Sequence, residues 1–340
     1  MFTRSGLIAA IAVAGAVTTS VAQAETWRFA LEEIDGSIQD SYAEEFKRRI
    51  EERSGGDVTV EIYPHGTLGT SSRLTELVRE GDVQFAFASP GHLASLVPEV
   101  GVFTLHFLFS ADNRINERVL GNSQATALLQ AAYGEQNLQL LGIVPEGWMA
   151  WTADRPIETP ADMEGLKIRT RTSPVVVESY RAYGADPTSL PYTQVYSGLE
   201  LEQIDAQVNP IFAIEEMGFY DVQDYMVLAK PAQFVSTVVA NDAFYEGLPE
   251  QRQAMLDEVT DSLRGYIFEK QAEVNRRRLQ IIKKNSDIEI STLSDEQRGL
   301  FREQSLPVRD VYTERAGERG KKILNILDEE LRAAGKAKKR

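Results

Sequence analysis

The sequence predicts an α/β protein with more than one domain, and three observations carry that expectation. Strand-like and helix-like segments alternate from residue 26 onward. The chain has 340 residues, long enough for two domains. One uninterrupted helical pattern, over 249–284, would run about 50 Å at the helical rise, more than a small domain needs.

Residues 26–30 read as a strand, and 39–54 as a helix with Tyr42, Phe46 and Ile50 four apart on one face and Gly55-Gly56 ending it. Val58, Val60 and Ile62 alternate with Thr59 and Glu61, the pattern of a half-buried strand. A helix over 71–80, a strand over 83–88 and a turn at Ser89-Pro90-Gly91 follow. Another strand opens at 138–144. No flexible linker follows it, so a domain break must be hidden in crossing strands. Thr159 is an N-cap, Pro160 suits the first helical position, Gly165 closes a short helix, and 166–172 reads as a strand. Arg169 then sits mid-strand, where a buried guanidinium needs a partner such as a ligand carboxylate. Asn209, before Pro210, reads as a polar turn. In 249–284 Met255, Val259 and Leu263 are spaced by four, and Ser294 with Gln297 forms a capping box opening another helix.

Composition narrows the function. Residues 1–24 have the form of a secretory leader, with Arg4, an apolar stretch over 7–17 and Ala22-Gln23-Ala24 as the cleavage site. Its loss takes the formal charge from −15 to −16, which opposes nucleic acid and anionic membranes. No later stretch is apolar for long enough to insert stably in a membrane. An exported chain with zero cysteines has no disulfides and must rely on its apolar core. The three histidines, His65, His92 and His106, are scattered. There is no G-x-S-x-G elbow, phosphate-cradling glycine loop or H-E-x-x-H, so neither catalysis, a metal nor a cofactor is expected.

The run TPADMEGLKIRTRTSP over 159–174, continued by AYGADPTSLPYTQVYSGLELEQIDAQVN over 182–209, resembles the solute-binding subunits of tripartite ATP-independent periplasmic (TRAP) transporters. Their pattern joins a "GLKIR" strand to "YGAxPTxLP" and a "DGxxNP" turn. The resemblance spans 26–331 and is nearest in pattern to the ectoine-binding branch. Glu202 and Ala206 stand where glycines are common, and Val208 where glutamate is common.

The resemblance implies a two-lobed periplasmic binding protein with hinge strands and a long helix spanning both lobes. The first lobe is expected over 25–147 plus about 235–275 and the second over 148–234 plus about 276–331, followed by a basic tail over 332–340 whose KAKKR end, 336–340, is expected to fray. It implies Arg169 as a bidentate carboxylate clamp, for which the planar arginine fork is suited. Asn209 would support the same carboxylate, unless it is only a turn residue. Arg171 is either a second contact or strand-edge charge.

In this reading Glu33, rather than Glu32, faces the cleft and meets a ligand cation, since one of two adjacent acids usually faces water. Tyr192 would stack on the solute, Phe212 and Phe234 would wall it, and Ser89 would lie beside it. His92 stands where the ectoine-binding branch has an aromatic residue, and Ala213 where it has a tryptophan. Trp148 and Met149 lie where sialic-acid-binding members carry a second arginine, which argues against that sugar acid. The expected function is capture of a small organic carboxylate, zwitterionic in character, by a monomer that delivers it to TRAP permease subunits. A ligand-binding partner of a signalling receptor and a secreted carboxylate-processing enzyme are the alternatives.

Overall fold

The computed structural model describes residues 24–337, so the expected leader, apart from Ala24, lies outside the described residues. The chain opens β1 (Glu25–Ala30), α1 (Ile38–Arg53), β2 (Val58–Tyr63), α2 (Ser71–Glu80) and β3 (Phe85–Ala88). Ser37 caps α1 by accepting from the Asp40 N–H, and the i, i+4 series Ile38, Tyr42, Phe46 and Ile50 faces inward. Short α3 (Pro90–Leu93) takes the place of the turn expected at Ser89-Pro90-Gly91, because Pro90 at the first helical position starts a helix as readily as a turn. Then come α4 (Asn113–Asn122), α5 (Ala125–Gly134) and the 16-residue β4 (Leu138–Ala153).

The second part continues with β5 (Lys167–Thr170), α6 (Pro174–Ala182), β6 (Asp186–Ser189), α7 (Val195–Glu200), β7 (Ala206–Pro210), α8 (Ile211–Glu216) and β8 (Tyr225–Val227). The chain returns through β9 (Gln233–Asn241), α9 (Asp242–Gly247) and α10 (Glu250–Asn285), and closes with β10 (Glu289–Ser291), α11 (Asp295–Ser305) and α12 (Val308–Ala337). The capping box of α11 is present, Ser294 Oγ accepting from the Gln297 N–H and Gln297 Oε1 from the Ser294 N–H. Asn209 lies within β7 rather than in a turn. Its neighbours are buried on both faces, so its strand lacks the alternation by which a sequence reveals one.

Two sheets share β4. Its first part pairs antiparallel with β9, which leads on to β3, β1 and β2; its end pairs with β7 on one side and β8 on the other, extending to β5, β6 and β10. Two lobes follow, joined by strands that pass from one to the other. The core of the first includes Trp27, Phe29, Phe46, Phe85 and Phe87, packed on Leu256, Val259, Leu263 and Ile267 of α10. Farther along, α10 buries Ile282 against Ile214, Phe219 and Met226 of the second lobe. The 36-residue helix therefore spans both, as the long pattern predicted.

α12 packs against both parts of the chain. Its Ile323, Leu324, Leu327 and Leu331 share one core with Phe103, Leu120 and Leu129 of the first lobe and with Val175 of α6. An amphipathic stripe reveals that a helix is buried, not against what. Gly317 breaks the helix at φ 63°, ψ −160°, a conformation open to glycine. The helix continues to Ala337, with Ala334 packed on that same core, so most of the residues expected to fray, 336–340, lie outside the described residues.

Where β4 crosses between lobes its register shifts between Pro145 and Gly147. Gly147 has φ +132°, and a Cβ there would stand 2.5 Å from Asn275 Nδ2 of α10. That Nδ2 donates to the Glu146 carbonyl at 2.8 Å, while Asn275 Oδ1 accepts from the Phe212 N–H at 3.1 Å. One side chain of α10 thus ties the crossing strand to the start of α8.

Candidate functional site

A cavity of about 30 Å³ lies between the lobes, lined on the side of the second by Arg169, Arg171, Tyr192, Asn209 and Ala213 and on the side of the first by Glu32, Glu33, Gln39, Ser89 and His92. It is narrow enough that the lobes must part to admit an organic solute. They meet beside it: the Gly91 carbonyl accepts from the Ser173 N–H at 3.0 Å. A Cβ on Gly91 would lie 2.3 Å from Arg171 Cδ, so only glycine lets α3 pass Arg171 this closely.

The second lobe supplies the cations. Arg169, 1% exposed, donates from Nε (3.0 Å) and Nη2 (2.8 Å) to the Leu190 carbonyl, and its buried Nη1 has no hydrogen-bond partner among the described residues. Burial, with Arg171 nearby, pulls Arg169 down to about 9, still cationic at neutral pH. Arg171 donates from Nη2 to Asn209 Oδ1 at 3.0 Å, and its guanidinium carbon lies 4.4 Å from the Phe234 ring centroid. A relay orients that amide: Asn209 Nδ2 donates to Gln207 Oε1 (2.6 Å), Gln207 Nε2 to Thr152 Oγ1 (3.0 Å), and the Thr152 hydroxyl to Gln223 Oε1 (2.8 Å). Asn209 therefore reaches the cavity largely by holding Arg171.

The first lobe supplies the acids. Glu32 and Glu33 follow β1, both 7% exposed, so the expectation that Glu32 faces water is overturned: the loop turns inward around Gln39 and buries both. Gln39 Oε1 accepts from the Glu32 N–H (2.8 Å), the Gln39 N–H goes to Glu33 Oε2 (3.3 Å), and Gln39 Nε2 goes to Glu146 Oε1 (3.2 Å). Glu32 Oε2 accepts from the Ser89 N–H at 3.0 Å. Burial first, then the Glu146 charge, sends Glu33 well above the carboxylate range, and burial raises Glu146 as well, so the protonated form is favoured on this wall. Burial lifts Glu32 to about 7. It lifts Glu216 to about 8, against the opposing pull of Arg278 Nη2 at 3.2 Å.

Tyr192 and Phe234 line the cavity as expected, and burial holds His92 neutral, down at about 3, with Arg171 and Arg169 adding to the effect. Two expected residues are elsewhere. Phe212 is fully buried in the core against α10, because its backbone N–H is drawn to Asn275. Trp148 turns away to donate from Nε1 to Asn113 Oδ1 at 3.0 Å. Gln39, Ser71 and Glu146 were not anticipated. Gln39 read as the start of a helix, and Glu146 carries no periodic signal in a strand buried on both faces. Among the described residues no group of three or more His, Asp or Glu is arranged to hold a metal ion, and no helix is long and apolar enough to cross a membrane.

Two lobes, crossing strands and a charged cavity walled from both sides define a solute-binding protein of the cleft-closing kind. The family profile of bacterial extracellular solute-binding proteins, family 7 (DctP), matches residues 29–315. The ectoine-binding periplasmic protein TeaA of Halomonas elongata is 36% identical over 317 residues, covering 93% of this chain and 92% of that one. The ectoine/5-hydroxyectoine-binding periplasmic protein UehA of Ruegeria pomeroyi is 36% identical over 333 residues, 96% of each. A TRAP periplasmic solute-binding protein from Marinobacter aquaeolei VT8, solved in an apo open form, is 45% identical with a TM-score of 0.86 over 89% of this chain and 99% of that one. The chain belongs to family 7 and is a TRAP-transporter solute-binding protein.

Proposed function

We propose that this protein captures a small zwitterionic carboxylate in the periplasm and delivers it to a membrane permease, without catalysing a reaction. The observation that supports this most is the division of charge: one wall carries Arg169 and Arg171, the facing wall Glu32 and Glu33, with Glu146 bonded to Gln39 beside them. A ligand carboxylate takes the unpartnered Nη1 of Arg169, and a ligand ammonium or amidinium replaces the proton that burial and the Glu146 charge favour on Glu33. Tyr192 and Phe234 cover its faces. A plain dicarboxylate satisfies the arginines but leaves the acids facing a second anion.

The relatives named for ectoine bind a zwitterion of this kind. Ala213 and His92 leave different walls here, so the proposal extends to amino-acid derivatives, short dipeptides and ectoine-like solutes. The leader pattern and the periplasmic relatives support the location. The test is a thermal-shift panel of zwitterions, dicarboxylates, keto acids and sugar acids on the chain from Glu25. A ligand at a hundred times its Kd adds about 2.7 kcal/mol, and shifts confined to plain acids would reject the zwitterion.

A further inference from the structure

A second cavity, of about 40 Å³, adjoins the first and shares with it only Arg171 and Phe234. Its walls include Phe103 from the first lobe's core and Met149, Val176 and Val208 from the second's, so it too opens when the lobes part. These four side chains carry no charge; the cation of the lining, Arg171, stands at the boundary with the first cavity. Gln233 also lines it; Nε2 of that side chain is taken by Asn113 Oδ1 at 3.0 Å, while its buried Oε1 has no partner among the described residues.

The partition between the cavities consists of side chains alone. Arg171 is a long, flexible cation held over Phe234 and by its hydrogen bond to Asn209, and a small rotation would join the spaces. A packing defect deep in a core would have no path to the ligand and no orphaned acceptor; this cavity has both. The first cavity is small, about 30 Å³, so a ligand larger than a charged headgroup needs a further space, and the one reached past Arg171 is mainly apolar.

Resting on the zwitterion reading, we propose that the second cavity is a side compartment of the binding site, taking an uncharged, mainly apolar substituent of the ligand with one hydrogen-bond donor for Gln233 Oε1. Met149, Val176 and Val208 make the compartment mainly apolar, with Arg171 only at its boundary with the first cavity.

The experiment is calorimetry with two homologous series: the α-amino acids from glycine through norvaline to norleucine, and ectoine with its 2-methyl group lengthened to ethyl and propyl. Affinity is expected to rise about three- to fourfold per added methylene in the series that binds, and Val176→Phe to abolish that rise. Val176→Leu serves where the larger side chain lowers the thermal midpoint. Gln233→Leu should weaken 5-hydroxynorvaline relative to norvaline by several-fold. Binding of the shortest members with a flat or falling trend, or a trend that survives Val176→Phe, overturns the compartment while leaving the zwitterion reading intact. Failure of every member of both series to bind overturns that reading, and the assigned occupant with it.

Discussion

Gln39, near the start of α1, joins Glu33 of the loop after β1 to Glu146 of the crossing strand β4: its N–H donates to Glu33 Oε2 at 3.3 Å and its Nε2 to Glu146 Oε1 at 3.2 Å. Burial, then the Glu146 charge, raises Glu33 well above the ordinary carboxylate range. The acidic wall is therefore partly neutral, and in the proposed function a ligand cation would compete with its proton.

pH dependence follows with a definite sign. Glu32 has its folded value raised to about 7 from 4.5, so between these values the folded state holds a proton that the unfolded state has lost. The Glu32 contribution to stability falls as pH rises through that window, by up to about 1.4 kcal/mol per pH unit, while His92 and His106, held down at about 3, contribute in the opposite direction up to 6.5. From pH 5 to pH 8 the ligand-free thermal midpoint of Glu32→Gln should therefore rise relative to that of the wild type. An unchanged slope would show that Glu32 ionises freely in the fold.

Zwitterion affinity should move the other way. It should rise between pH 5 and 8 with net proton release, seen as a calorimetric enthalpy that depends on the buffer. Glu146→Gln should reduce that release, since it removes the charge that helps to raise Glu33. Equal heats in phosphate and Tris would reject the exchange.

Arg169→Lys should lower ligand affinity roughly a hundredfold or more, because a point charge cannot bind the Leu190 carbonyl twice and still present a free donor. Circular dichroism should show the fold retained. Retained affinity would remove Arg169 from the clamp.

Gly91→Ala tests the contact between lobes. The added Cβ meets Arg171 Cδ at 2.3 Å, so the arginine must leave Asn209 or the lobes must stay apart. Affinity should fall about tenfold or more, with solution scattering showing a more extended form at saturating ligand. A scattering curve and affinity equal to wild type would mean the arginine side chain bends aside freely.

Asn275→Ala should destabilise by about 1–3 kcal/mol in urea unfolding, since it strips partners from the buried Glu146 carbonyl and Phe212 N–H together. A smaller effect would mean water replaces both bonds.

Much of this was legible in the sequence. Elements with a strong period, such as α1 and α10, and those with chemical end signals, such as the Ser294–Gln297 box, were readable from the residues alone. Arg169, Asn209, Glu33 and Tyr192 were readable through the family motif, and the structure brings them to one cavity. What remained hidden depends on partners distant in sequence. Phe212 and Trp148 are drawn away by Asn275 and Asn113, which lie 63 and 35 positions from them. Glu32 looks like a surface acid until Ser89, 57 residues later, donates to it. Glu146 becomes significant only when Gln39 reaches it across 107 residues.

The Asn275 tie gives the molecule a fulcrum. A body pinned at one place can swing but not slide, and points near the pin travel least. Glu146 sits at the pin, and Gln39 joins it to Glu33 in the same lobe, so a swing about Asn275 is expected to leave the spacing of the acidic wall unchanged. Arg169 and Arg171 ride on the opposite jaw, and the Gly91–Ser173 contact acts as the latch. Capture is therefore ordered: the open protein should take hold of an organic cation weakly and a simple carboxylate hardly at all, and only the ligand that carries both can draw the second jaw down.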